Sequence, residues 1–382
     1  MNAPERVLKT INHEEPDRVP AFESAFTNNT IMKHYGFGPR AIPRQKIPDK
    51  VLKQLIENPK LMRGLYENLY KFYSKAGIDL VPSLVSLFPR TIFDDGSSVD
   101  EYGRIMRGEI YEKDGTEISG YVGGYFKSFE DYESFELPDP HWEARLTHFK
   151  LGREIQEELD NTIFSIPAVG ALMECSWESF GLEVFSKILA RPKQAKKIFD
   201  DRGEFTLEVV KDLAENDAQL IILWDDYGFK NGLFMSPRNY RKFVFPWIKR
   251  ICDAAHKHDC KILLHSDGDL LEIFEDIIEC GVDVLNPVES TTANPDYDIF
   301  KLNEKYGDKI SFAGNLSPIM LAMGEISEIE NYAKRLIREV APGGGYIFSS
   351  GHSINPAVTL DRFEAMQNIK RKYGTYPINV PD

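Results

Sequence analysis

The chain has 382 residues, 42% of them hydrophobic and 28% charged, and a formal net charge of −14. That composition belongs to an ordinary globular protein with a large core. The acidic balance argues against partners such as nucleic acid or an anionic membrane. No apolar run approaches the roughly 20 residues that cross a bilayer, and the first residues lack a signal-peptide pattern, so a cytoplasmic protein is expected. Cys175, Cys252, Cys260 and Cys280 form no C-x-x-C pair and read as buried packing residues.

An amphipathic lead-in helix starts near Pro4, and Val19-Pro20-Ala21-Phe22-Glu23 reads as the first strand. Asp79 to Ser86 reads as the second. Residues 88–127 change texture and read as an antiparallel insertion over one end of the fold. Its hairpin turns are expected at Asp94-Asp95-Gly96, Asp114-Gly115 and Gly123-Gly124. From residue 162 strand and helix alternate. Thr162 to Val169 is a strand, followed by helical segments over 174–189 and 192–216. Leu220 to Trp224 is a strand, and Ser236-Pro237 opens a helix that runs to about His258. Further strands are expected at Lys261 to Leu264, Val282 to Pro287, Ile310 to Ala313 and Tyr346 to Ser350, with helices between them and a last helix over Leu360 to Tyr373. These strands are short, apolar and non-alternating, which fits strands covered on both faces of a parallel sheet. Eight of them favour a closed (β/α)8 TIM barrel, one domain over 1–382, above an open doubly wound sheet. No G-x-G-x-x-G or P-loop run follows any strand, so a dinucleotide or ATP site has little support.

In such barrels the carboxyl ends of the strands build the active site. Those positions here hold Glu23, Ser86, Asp225, Asp226, His265, Asp267, Glu289, Asn315 and His352. His265, Glu289 and His352 form the expected metal set. Two imidazoles and one or two carboxylates suit zinc with an open position, and equally a non-haem iron. Asp225, Asp226 and Asp267 are candidate acids for proton transfer, although each could instead cap a helix. Glu23, Ser86, Trp224, Tyr227 and Asn315 are candidate substrate contacts, with Phe22, Phe26 and Phe348 adding aromatic lining.

The opening run Arg6 to Pro20, with its Asn12-His13-Glu14-Glu15-Pro16-Asp17-Arg18-Val19-Pro20, resembles the start of the uroporphyrinogen decarboxylase superfamily. So do Ile262 to Gly268, Gly281 to Glu289, Gly314 to Pro318 and Ser349 to Pro356. The resemblance covers nearly the whole chain and implies a (β/α)8 barrel. True decarboxylases of that kind carry an Arg-Gln-Ala-Gly-Arg segment that grips carboxylates. The equivalent stretch here, Phe22 to Asn29, has no arginine. The chain is more similar to the corrinoid-linked methyltransferase branch. Members that use coenzyme M hold zinc on a His-x-Cys pair and a later Cys. Here His265 matches the histidine, Asp267 and His352 stand at the cysteine positions, and Glu289 matches a further glutamate. The resemblance to O-demethylase methyltransferases therefore implies zinc, a small methylated substrate such as an aryl methyl ether, and transfer to cob(I)alamin on a separate corrinoid protein. That cobalamin would come from the partner, because no Asp-x-His-x-x-Gly corrinoid signature occurs in the chain. Residues 88–127 are the candidate docking or lid element, expected to be removable without unfolding the barrel. The resemblance also implies that two copies can pair as a homodimer. A carboxy-lyase acting on a tetrapyrrole or other carboxylated substrate is the alternative, and a non-enzymatic binding module the third reading.

Overall fold

The computed structural model describes residues 1–38 and 48–381. Eight parallel strands close into a barrel in sequence order. They are β1 Ala21–Phe22, β2 Leu80–Leu84, β3 Phe164–Gly170, β4 Leu220–Trp224, β5 Lys261–His265, β6 Val284–Asn286, β7 Ser311–Leu316 and β8 Tyr346–Ser350. β1 closes the ring by pairing β8 at Ala21–Phe348 and β2 at Phe22–Leu80. The (β/α)8 expectation is met.

Side chains alternate across a strand with period two. One set, including Phe22, Leu80, Ile166, Ile222, Leu263 and Ile347, fills the barrel interior. The neighbours Val81, Ile221, Leu223, Ile262, Leu264, Leu285, Phe312 and Phe348 face outward, into the packing under the helices. Both faces are thus apolar, which is why the strand sequences do not alternate. The lead-in helix Ala3–Ile11 forms the floor, with Ala3, Val7 and Ile11, four residues apart, joining the interior cluster. Arg6 and Arg18 both bond Asp79 there, and Arg6 also bonds Asp17. The opening motif therefore braces the amino end of the barrel, opposite the strand ends that carry the chemistry.

Three local expectations need correction. The segment 174–189 is two helices, Met173–Phe180 and Leu182–Leu189, because Gly181 takes φ 76° between them. The helix from Ser236 is broken: a short Pro237–Asn239 turn passes through a wide turn at Tyr240–Val244 into Phe245–His256. Pro246 has no N–H to return to the preceding turn, which favours the widened geometry. Gly123-Gly124 is not a turn but the end of the strand Thr116–Gly124. A Cβ at Gly124 would lie 2.4 Å from the Phe180 backbone, so the glycine permits a close approach. The turn that the sequence reading missed is at Gly103, φ 92°.

The insertion is a four-stranded antiparallel sheet, Pro89–Ile92, Ser97–Asp100, Arg104–Tyr111 and Thr116–Gly124. It is fastened to the rest of the fold at several points. Tyr102 and Phe126 are fully buried, and the Tyr102 hydroxyl donates to Gly170 O at the end of β3. Buried Arg104 bonds Asp100, Glu174 and Glu178, the latter two on the helix after β3. The far hairpin turn is fastened to the helix Asn29–His34, where Asp114 accepts from Thr30 N–H and Thr116 from Asn29 N–H. Among the described residues no helix is long and apolar enough to cross a membrane.

Candidate metal centre at the barrel mouth

The interior alternation continues upward past the apolar layers. Two residues beyond Leu263 and Val284 come His265 and Asn286, and two beyond Ile222 comes Trp224. Another step of two brings Asp226 and Asp267. The same parity sends Glu23 and Asp225 the other way. Asp226, His265 and Asp267 form the group that stands together among the described residues, with one ligand atom from each lying within 4.8 Å of the others.

The three side chains are held by specific contacts. His265 is 8% exposed, and its Nδ1 lies 2.7 Å from Asn286 Oδ1. Asp226 Oδ1 accepts from the Asp267 N–H at 2.8 Å. Burial, reinforced by the charges of Glu174 and Asp267, pushes the Asp226 carboxyl well above the usual carboxylate range. Asp267 Oδ1 is buried without a hydrogen-bond partner, while Asp267 Oδ2 lies 3.6 Å from His352 Nε2. An orphaned carboxylate oxygen beside a second acid and a histidine suits a divalent cation, which supplies the partner and offsets the like charges.

The other members of the expected metal set sit around this group. His352 is half-exposed, with its Nδ1 against Ser353 Oγ at 2.9 Å and its ring 6.2 Å from that of His265. The Glu289 carboxylate is occupied otherwise, accepting from Gly268 N–H at 2.8 Å and from the Thr291 hydroxyl. It ties the 267–269 turn to the loop after β6. The geometry thus groups His265 with Asp226 and Asp267, sets His352 beside Asp267, and bonds Glu289 to the backbone of the turn that follows.

The remaining candidate residues are placed as follows. Asp225 is fully buried and accepts from Glu174 N–H, capping the helix after β3 from a neighbouring unit. Burial raises its carboxyl to about 8. Glu23 is also buried, and both its oxygens accept from Ser350, through the N–H and the hydroxyl. The Ser86 hydroxyl accepts from Gly170 N–H. Tyr227 is fully buried against Tyr240 and Phe245. Trp224, part-buried, tops the interior cluster. Asn315 lines a cleft of about 970 Å³, with Asn294, Tyr297, Met320, Tyr332 and Arg335, between the loop after β6 and the helices after β7. Glu23, Ser86, Trp224 and Tyr227 do not line that cleft. Asn286 is the site residue that sequence reading passed over; its position two beyond interior Val284 was the available signal.

A model of the uroporphyrinogen decarboxylase (URO-D) family matches residues 112–373. The uroporphyrinogen decarboxylases of Colwellia psychrerythraea and Alkalilimnicola ehrlichii are each 24% identical, over 64% and 63% of this chain and 69% and 65% of theirs. A methyltransferase from Methanosarcina mazei shares the fold with a TM-score of 0.71 at 18% identity, over 98% of this chain and 99% of that one. A barrel floored by the opening helix and a family match over well more than half of its length converge: the chain belongs to the uroporphyrinogen decarboxylase family.

Proposed function

We propose that the protein is a metal-dependent methyltransferase that moves a methyl group from a small methylated substrate, best an aryl methyl ether, to cob(I)alamin carried by a separate corrinoid protein. The observation that carries this reading is the Asp226–His265–Asp267 group with its orphaned Asp267 oxygen at the carboxyl ends of the strands. The name of the Methanosarcina mazei neighbour supports it.

Asp226, His265 and Asp267 would hold the ion, with His352 as the nearby fourth donor. This nitrogen and oxygen set suits zinc. A zinc ion held there would supply Lewis acidity toward an ether oxygen. The protein's own part is positional. Glu289 fixes the turn that presents Asp267, and the Asp267 N–H holds Asp226. Asn315 and Tyr332, hydrogen-bonded to each other at 3.0 Å, line the cleft between the loop after β6 and the helices after β7.

The carboxy-lyase reading rests on the names of the curated relatives. Against it, the stretch Phe22 to Asn29 carries no cation for substrate carboxylates, and Glu23 there is a buried acid. Metal analysis of the purified protein, with a spectroscopic screen of methyl donors for methylcob(III)alamin formation, separates the two. One zinc per chain and methyl transfer support the proposal. A metal-free protein that binds porphyrinogens defeats it.

A further inference from the structure

His265 and Asn286 are direct partners in the β5–β6 ladder, so their side chains leave adjacent strands at one level and face inward. The two contacts of Asn286 settle its orientation. Its Nδ2 donates to Ala313 O at 2.9 Å, and a carbonyl can only accept. Turning the amide over would put oxygen against oxygen there. Asn286 Oδ1 must therefore be the atom that faces His265 Nδ1, at 2.7 Å. An amide oxygen cannot donate, so Nδ1 carries the proton. In a neutral imidazole that leaves Nε2 with its lone pair free.

We propose that Asn286 is a positioning residue which locks His265 as the Nδ1–H tautomer and so presents Nε2 as a ready metal donor. This rests on the metal-site reading above. Asn286 is 1% exposed and His265 8%, so water does not readily stand in for the amide. Without the lock, His265 could place its proton on Nε2 and would have to lose it before binding an ion. A neutral amide also differs from the carboxylate often found behind a metal-bound histidine. It fixes the ring without adding negative charge to a region that already holds Asp226, Asp267 and Glu289.

The test uses the full chain labelled with ¹⁵N-histidine and stripped of metal. Long-range ¹H–¹⁵N correlation spectra read the tautomer, with the His265 signal identified by its loss in His265→Gln. The wild type should show His265 protonated on Nδ1 and bare on Nε2. Asn286→Asp retains an acceptor and should keep that pattern. Asn286→Leu and Asn286→Ala remove it and should shift protonation toward Nε2. Zinc dissociation constants, read by competition with a chromophoric chelator, should rise about 10- to 100-fold in the Leu and Ala variants and change far less in the Asp variant. Should Leu fail to fold, Ala and Asp still give the contrast. An unchanged Nδ1–H signature in the folded Ala variant, or Nε2 protonation in the wild type, overturns the inference. A wild type that shows the Nδ1–H tautomer yet binds no zinc refutes the metal-site reading while leaving the tautomer lock standing.

Discussion

Glu23→Gln should flatten part of the pH dependence of folding. Glu23 is buried at the seam of β1 and β8, and burial raises its carboxyl from the ordinary 4.5 to about 8, against smaller downward pulls from the Ser350 hydrogen bonds and the Lys370 charge. The native state thus keeps a proton that the unfolded chain has already released. Stability from this group is fully present below about pH 4.5 and is lost as pH rises toward about 8. The slope is at most about 1.4 kcal/mol per pH unit, so the whole window is worth up to about 5 kcal/mol. Glutamine stays neutral and retains an oxygen for the Ser350 N–H. Urea unfolding of metal-free wild type and variant at several pH values between about 5 and about 8 should show the variant gaining steadily on the wild type as pH rises. A difference that stays flat across that window would refute the argument, because it would mean that Glu23 ionises in the folded protein as it does in the unfolded one.

His265→Ala and Asp267→Asn should each abolish stoichiometric zinc binding, measured by metal analysis after gel filtration, while leaving the circular dichroism spectrum unchanged. Asp225→Ala should do the reverse, keeping metal binding but costing about 1–3 kcal/mol in urea unfolding by leaving the Glu174 N–H without its acceptor. Arg104→Met should cost about 3–5 kcal/mol, since Asp100, Glu174 and Glu178 would lose their shared buried cation. A near-neutral result there would mean that the insertion's other contacts, among them those of Tyr102, Asp114 and Thr116, suffice to hold it. Val7→Ala should cost about 2 kcal/mol at the barrel floor and leave metal binding untouched, which separates the two ends of the barrel experimentally.

The alternation of apolar strands with helices carried the barrel. A strand covered on both faces is apolar at most positions, so it stands out even in a single sequence. The strands around 222, 263 and 348 lie where the sequence places them. The insertion was legible as antiparallel structure, but its attachment to the barrel was not. Its attachment depends on Arg104 and Tyr102 meeting the end of β3 and the helix beyond it, residues far apart in the chain. A buried arginine with three acidic partners looks, in sequence, like any strand arginine.

His265 and the acids near it could be read as ligand types at strand ends, and that much the sequence determined by itself. It did not determine which of them would meet. Asp225 and Asp226 are chemically identical neighbours, yet the pleat turns one into the wall as a helix cap and the other into the mouth. Glu289 lies three residues past the end of β6, whereas His265 is the last residue of β5, and the Glu289 carboxylate accepts from the Gly268 N–H. Asn286 looks like an unremarkable strand residue until the β5–β6 register sets it against His265 Nδ1. Ligand chemistry is a property of the residue, whereas convergence is a property of register and strand direction, and those are fixed only when the eight strands close around a common core.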